Sequence, residues 1–316
     1  MQRASFLLIF LAIAHIGFSQ KKGETIAPKD LEKLTQYEDT LAYYGRIAVT
    51  DSIIERRLAA QERLLPTLRL ALGVPNAFHY AFDKLQNIAI TYPQDRSFRI
   101  FTWQLMVHEA HYQYFGFIQT NASKSIVYEL KDGSKNIQRP ESQILSKDKW
   151  FGALYYGIRD FKSKDGVKYL LFGYNAMDTI EKVKLCDVLT LRGGQPKFGA
   201  SVFHKTERGR DISHNRLMLY HAADAVIRFN YDADMDMVVH DHLEDIGRTD
   251  KVVAVPDGTY EAYKLEKGVW EHVNQLATTE MDTAPIPVPK LGSKAKVVDK
   301  QNSKDFKWPE EVTKKN

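Results

Sequence analysis

The sequence predicts a mainly β protein of the α+β class: an N-terminal helical hairpin packed on a large antiparallel β-meander that forms a sandwich or an open barrel. Three observations lead there. Apolar residues recur at helical spacing between Pro28 and Leu72. From about Phe78 onward, runs rich in β-branched and aromatic residues alternate with turn dipeptides such as Asp132-Gly133, Asp165-Gly166 and Lys267-Gly268. The connections between these runs are short, which favours antiparallel hairpins over βαβ units.

The N-terminus reads as a secretory signal peptide over residues 1–19. Arg3 supplies the positive start, Ala4 to Phe18 is nearly all apolar, and Gly17 and Ser19 place small residues before a cut at Gln20. The apolar run is shorter than the ~20 residues a spanning helix needs. No cysteine lies near the cut, so a lipid anchor is not expected.

A helical region is expected over residues 27–75. Leu31, Leu34, Tyr37, Leu41 and Tyr44 outline a first helix from Pro28 to about Gly45, with the proline in the first turn. Ile53, Arg57, Leu58, Gln61, Leu64, Leu65, Leu68 and Leu72 outline a second from about Ser52, with Asp51 or Ser52 as N-cap. Pro66 is expected to kink or split it.

The β domain is expected over residues 76–276. Its first strand runs are Ile88 to Tyr92, Phe98 to Val107, His111 to Gln119 and Ser125 to Leu130. The second half reads as Phe151 to Asp160, Lys168 to Asn175, Val183 to Leu191, Lys197 to Phe203, Arg216 to His221, Ala225 to Tyr231, Met235 to Leu243, Tyr260 to Leu265 and Val269 to Asn274. Leu170 and Phe172 alternate with Tyr169 and Leu171, so both faces of that strand are apolar and need cover. Residues 277–316 change to Pro- and Lys-rich sequence and read as a flexible basic tail.

Composition narrows function by exclusion. The net charge of +4 carries no nucleic-acid footprint, and Thr283 to Asn316 alone holds eight lysines against four acids, leaving the body near neutral. The lone cysteine, Cys186, cannot form an intrachain disulfide and reads as a buried thiol. There is no phosphate loop, dinucleotide fingerprint or nucleophile elbow, and no cofactor is indicated.

Several local patterns bear on chemistry. His108-Glu109-Ala110-His111 has the wrong spacing for a helical zinc site and reads as a hairpin tip. Asp232-Ala233-Asp234-Met235-Asp236 starts like a calcium loop, but Met237 and Leu243 stand where Gly and Glu are needed, so a turn is expected. His240-Asp241-His242 is the best metal candidate, because residues i and i+2 of a strand face the same way. His204, His214 and His221 are available as further ligands by number alone. No catalytic residue can be named. Trp103, Trp150 and Trp270 read as core. Asp39-Thr40-Leu41, Asp51-Ser52-Ile53, Asp178-Thr179-Ile180 and Asp282-Thr283-Ala284 are similar to an acceptor tripeptide of periplasmic O-glycosylation, and the last of them is the one expected to be exposed.

Phe98-Arg99-Ile100-Phe101-Thr102-Trp103-Gln104, Tyr114-Phe115-Gly116, Trp150-Phe151-Gly152-Ala153-Leu154-Tyr155-Tyr156, Asp257-Gly258-Thr259-Tyr260 and Lys267-Gly268-Val269-Trp270 together resemble a group of uncharacterised exported β-rich proteins of Gram-negative bacteria. The resemblance spans roughly Ala27 to Asn274. It implies export and a β-rich body and transfers no site.

The expectation is therefore an exported binding or structural protein of the bacterial cell envelope: periplasmic, outer-membrane-associated or extracellular. A partner in the envelope is expected to dock through the C-terminal tail, where Phe306-Lys307-Trp308-Pro309 forms an aromatic island. One alternative is an exported hydrolase with a His/carboxylate or metal site; another is a carrier of small apolar ligands. A pocket lined by converging histidines and acids would favour the enzyme, a closed apolar cavity the carrier, and an exposed apolar patch over a full core the binding module.

Overall fold

The computed structural model describes residues 25–276 except 192, 208, 249, 250, 274 and 275. The expected signal peptide and tail, including the tripeptide at Asp282, lie outside the described residues. The chain divides into two compact units between Leu276 and Ala277, and only the first contains described residues.

Helix α1 (Pro28–Thr50) opens with proline in its first turn and runs past Gly45, because Leu34, Leu41, Gly45 and Ala48 form one buried stripe. Helix α2 (Ile54–Leu72) has Ile53 at its N-cap with no side-chain cap. Asp51 instead closes α1, and its Oδ1 accepts the Ile53 N–H at 2.8 Å. Pro66 does not split α2. The proline is exposed, and the buried face of Ala60, Gln61, Leu64, Leu68, Ala71 and Leu72 continues past it. Tertiary packing thus outweighs one missing backbone donor.

Strands β1 (Ala89–Thr91), β2 (Phe98–His108), β3 (His111–Thr120) and β4 (Val127–Lys131) form an antiparallel sheet in chain order. Strands β5 (Leu145–Ser146), β6 (Leu154–Ser163), β7 (Gly166–Asn175), β8 (Glu181–Thr190) and β9 (Lys197–Phe198) build a central sheet ordered β5-β9-β8-β7-β6. Strands β10 (Phe203–Glu207) and β11 (Arg210–His214) then begin a third sheet. The chain returns to the central sheet for β12 (Leu217–Ala222), which pairs with β8. Strands β13 (Phe229–Asp232), β14 (Met237–Arg248), β15 (Lys251–Glu266) and β16 (Val269–Val273) complete the third sheet in the order β11-β10-β16-β15-β14-β13.

The result is a sandwich rather than a closed barrel, since each sheet ends in unpaired edges. It also corrects the simple meander. The expected run Lys197 to Phe203 is two strands in different sheets, and Gly199 at φ 103° turns the chain between them. Strand β16 inserts beside β10 in parallel, pairing Trp270 with Phe203. Strand β11 escapes the sequence pattern because it is a half-exposed polar edge, Arg-Asp-Ile-Ser-His.

Three apolar layers join four tiers of structure. Leu34, Leu41, Leu64 and Leu68 of the helices meet Phe101, Trp103, Leu105 and Phe117 of the first sheet. The opposite face of that sheet, with Phe98, Ile100, Tyr114 and Ile118, meets Tyr155, Tyr169, Leu171 and Leu185 of the central sheet. The far face of the central sheet, with Leu170, Phe172, Cys186 and Val188, meets Phe203, Phe229, Val238, Tyr263 and Trp270 of the third. Tyr169 and Leu171 face one layer and Leu170 and Phe172 the other, as a strand covered on both sides requires. Trp103, Trp150 and Trp270 are all core residues, at 1 %, 0 % and 1 % exposure.

The stretch before β6 shows how tight the packing is. A Cβ added to Gly152 would lie 2.5 Å from Tyr114 Cβ and 2.7 Å from Asp132 Oδ1. Gly152→Ala is therefore expected to cost about 1–3 kcal/mol by overpacking, read as a lowered urea midpoint. An unchanged midpoint would contradict the rigidity assigned to this contact.

The expected turns are present. His108 and His111 flank the tip of the β2–β3 hairpin, where Ala110 takes φ 55°. Asp232 Oδ1 accepts the N–H groups of Asp234 and Met235, both at 3.1 Å, in the β13–β14 turn. Ser52 and Thr179 lie in exposed turns, so exposure is not confined to the Asp282 tripeptide. Among the described residues, no helix is long and apolar enough to cross a membrane.

Candidate functional site

A cleft lies where β12 of the central sheet faces β10, β14 and β15 of the third. There the inward face of the third sheet turns from apolar to polar. Trp270, Leu265 and Val238 fill the layer between the sheets. Two positions from Trp270, Val238 and Tyr263 along their strands stand His272, His240 and Glu261. The cross-strand register puts His240 directly opposite Glu261 and His272 opposite Tyr263. The space above them is a cleft of about 330 Å³ lined by Glu141, Lys205, Glu207, His214, residues 216–220, His240, Glu261 and Tyr263.

Glu261 is the centre of this cluster. His272 Nε2 donates to its Oε2 at 2.9 Å. His240 Nε2 lies 3.9 Å from Oε2, His242 Nε2 lies 3.9 Å from Oε1, and Lys205 Nζ lies 3.5 Å from Oε2. The Glu261 side chain is only 13 % exposed. The His272 hydrogen bond, helped by Lys205 and the neighbouring histidines against the opposing effect of burial, lowers its pKa from 4.5 to about 2.

That shift has a sign in stability. A carboxyl whose folded pKa lies below its ordinary value favours the folded state when ionised. The contribution is complete above pH 4.5 and is lost as pH falls toward about 2. Glu261→Gln is expected to remove it, flattening this part of the acid-unfolding curve followed by circular dichroism. Superimposable acid limbs for wild type and variant would contradict the assignment.

His240, Tyr220 and Tyr263 are shifted toward their neutral forms. Burial lowers the pKa of His240, and its Nδ1–H donates to the Asp241 carbonyl at 2.9 Å. Its Nε2 is then an acceptor facing the cleft. Burial raises Tyr263, with Glu261 adding to the effect, and pushes Tyr220 up to about 12. Arg216 is spent structurally: its side chain and that of Asp187 are both fully buried, with Nε 3.1 Å from Oδ1.

The two histidines singled out in the sequence thus both reach one carboxylate. His242 does so from a β-bulge between Asp241 and Leu243, opposite the Asp257-Gly258-Thr259 loop of β15. Its Nδ1 also contacts Asp257 Oδ2 at 2.8 Å. Hydrogen bonds from the Thr259 N–H and hydroxyl are the first causes that lower Asp257 to about 2. Among the described residues, no group of three or more His, Cys, Asp or Glu side chains is arranged to hold a metal ion. Of the other histidines considered as ligands, His214 lines the cleft. His204 contacts Glu271 at 3.1 Å, and His221 is buried on β12 with Nδ1 on the Ala222 carbonyl. Cys186 is fully buried and its thiol pKa is pushed well up by burial.

Sequence reasoning missed Glu261, His272, Lys205 and Tyr263. A signal existed: Glu261 stands in phase with Tyr263 and Leu265, and His272 in phase with Trp270, so each is a polar residue at an inward strand position. Comparisons with protein-family models, curated proteins and solved structures find no match.

Proposed function

We propose that this chain is an exported binding protein of the bacterial cell envelope, cut after Ser19, which holds a small ligand in the cleft around Glu261. The reading is carried by the protonation of the cleft. A cleft lined by histidines and acids invites a hydrolase, but a general acid or base works best with a pKa near the ambient pH. Glu261 is moved away from neutrality to about 2, and Tyr220 away from it to about 12. Groups tuned in this way keep fixed charge and fixed hydrogen-bonding roles, which suits binding. The cleft is rimmed by charge, and the three core layers are filled by side chains, which does not suit a carrier of apolar ligands.

One observation favours the hydrolase as second reading: His240 presents a neutral Nε2 to the cleft with its other nitrogen fixed. A single experiment separates the two. The mature protein is incubated with a small-molecule extract of the envelope and analysed by native mass spectrometry. A ligand retained intact by wild type and lost from Glu261→Gln is the expected result. Conversion of the ligand, abolished in His240→Gln, would favour the hydrolase. No retention in either protein would remove the binding reading. N-terminal sequencing of the envelope fraction should start at Gln20; a chain that keeps Met1 in the cytoplasm would contradict export.

A further inference from the structure

We infer that the cleft takes a cationic, amine-bearing ligand, with Glu261 and Glu141 as its counter-charges and His240 Nε2 and Tyr263 as its orienting groups. The inference rests on the binding reading above and names the ligand class.

The charge of the lining comes first. Glu141, Glu207 and Glu261 face Lys205 and Arg216. Arg216 is neutralised by Asp187 beneath the surface. Lys205 lies 3.5 Å from both Glu207 and Glu261, so it offsets part of their charge. Glu141 uses its backbone carbonyl to accept the Asn215 N–H, and its carboxylate is not paired among the described residues. Three glutamates against one lysine, Arg216 being neutralised, leave the cleft lining with an excess of negative charge, although the whole chain is net positive at +4. A local field opposite to the global one selects ligand charge at the site.

The second observation is independent of the acids. His240 and Tyr263 line the cleft while only 5 % and 4 % exposed. Neither His240 Nε2 nor the Tyr263 hydroxyl has a hydrogen-bond partner among the described residues, so both are free to bond a ligand in the cleft. An imidazole nitrogen whose ring proton is already committed to Asp241 can only accept. Two carboxylates, an accepting imidazole and a phenol oxygen form a receptor rich in acceptors, which matches an ammonium with its several N–H groups. The Tyr263 and His240 rings lie 6.0 Å apart at 33°, an aromatic wall of the kind on which cations rest. Leu217 and Leu219 give the methylene portion of an amine an apolar surface.

The test is isothermal titration of the full mature chain at low salt with three probes: spermidine, glucose and citrate. Spermidine is expected to bind at one site, more weakly as salt rises, while glucose and citrate give no heat. Glu141→Gln and Glu261→Gln should each weaken spermidine at least about tenfold. Glu55→Gln, at an exposed acid on α2, should not change it. Glu141 is only half-buried, so this variant keeps the test valid should Glu261→Gln fold poorly. Silent spermidine, or spermidine binding indifferent to both Gln variants, overturns the inference. If the envelope extract still yields a ligand that depends on Glu261, the amine class fails and the binding reading stands. If extract and probes are all silent, both fall.

Discussion

Replacing Asp187 by alanine is expected to lower the unfolding free energy by about 3–5 kcal/mol, because it strands a buried guanidinium. Asp187 on β8 and Arg216 just before β12 are both 0 % exposed. Arg216 does more than pair. Its Nη1 donates to the carbonyls of Pro140 and Gln143, and its Nη2 donates to Phe198 at 2.9 Å. One side chain therefore ties the turn before β5, the end of β9 and the start of β12 to the central sheet. Without Asp187 the positive charge keeps its carbonyl dipoles and loses its one carboxylate partner among the described residues. The double variant Asp187→Leu/Arg216→Met should regain part of the loss, since no charge then stays buried. It should not reach wild type, because the three carbonyls lose their donors. Urea unfolding of both variants is the measurement. A loss below about 1 kcal/mol for Asp187→Ala would show that the pair is not sealed from water.

The second large effect concerns Arg99 on β2, which is fully buried with no carboxylate beside it among the described residues. Its Nε donates to Gln119 Oε1 at 2.7 Å, Nη1 to the Tyr80 carbonyl at 2.7 Å, and Nη2 to the Ala77 carbonyl at 2.6 Å. The guanidinium carbon also lies 4.9 Å from the Phe101 ring centre and 5.1 Å from that of Phe82. Burial lowers its pKa, with Tyr92 opposing the shift. Gln119 in turn donates to the Leu72 carbonyl at 2.9 Å, so the network fastens the end of α2 and the following connection to the first sheet. Arg99→Met keeps most of the volume and leaves three acceptors unpaired. Relief of charge burial offsets part of this, leaving an expected loss of roughly 2–4 kcal/mol. Arg99→Lys should also destabilise, because a point charge cannot serve acceptors spread around a planar fork. A methionine variant as stable as wild type would mean that water takes over the three carbonyls.

These two arginines mark the limit of what the sequence discloses. In Phe98-Arg99-Ile100-Phe101 the alternation puts Arg99 on the face shared with Phe101, which is apolar and covered by the helices. A lone arginine there reads as the wet face of an edge strand. Only the approach of the 77–80 carbonyls makes it a core residue. Arg216 likewise reads as the polar start of a strand. Its partner Asp187 is far along the chain, and nothing local links the two.

The candidate site divides in the same way. His240 and His242 stand out because a period of two places them together on β14. Glu261 contributes just as much, yet a single glutamate within a strand carries no pattern of its own. Its role follows from register: the β14–β15 pairing puts it opposite His240, and the antiparallel return of β16 brings His272 within hydrogen-bond reach.

By itself the sequence determined the helical hairpin, most strand runs, the two-faced burial of β7, and the turns at His108 and Asp232, because periodicity and turn chemistry act over a few residues. It is also the source of the export reading, which rests on residues 1–19. The tertiary structure alone decided the rest. Pro66 stays inside a helix because packing outweighs one hydrogen bond. Lys197 to Phe203 divides between two sheets because a glycine allows the chain to turn. Strand β16 lies parallel to β10 because the third sheet is joined there through contacts distant in sequence. The cleft lies where β12, having crossed to another sheet, faces Lys205, His240 and Glu261 of the third, a juxtaposition made by long-range register that no local rule contains.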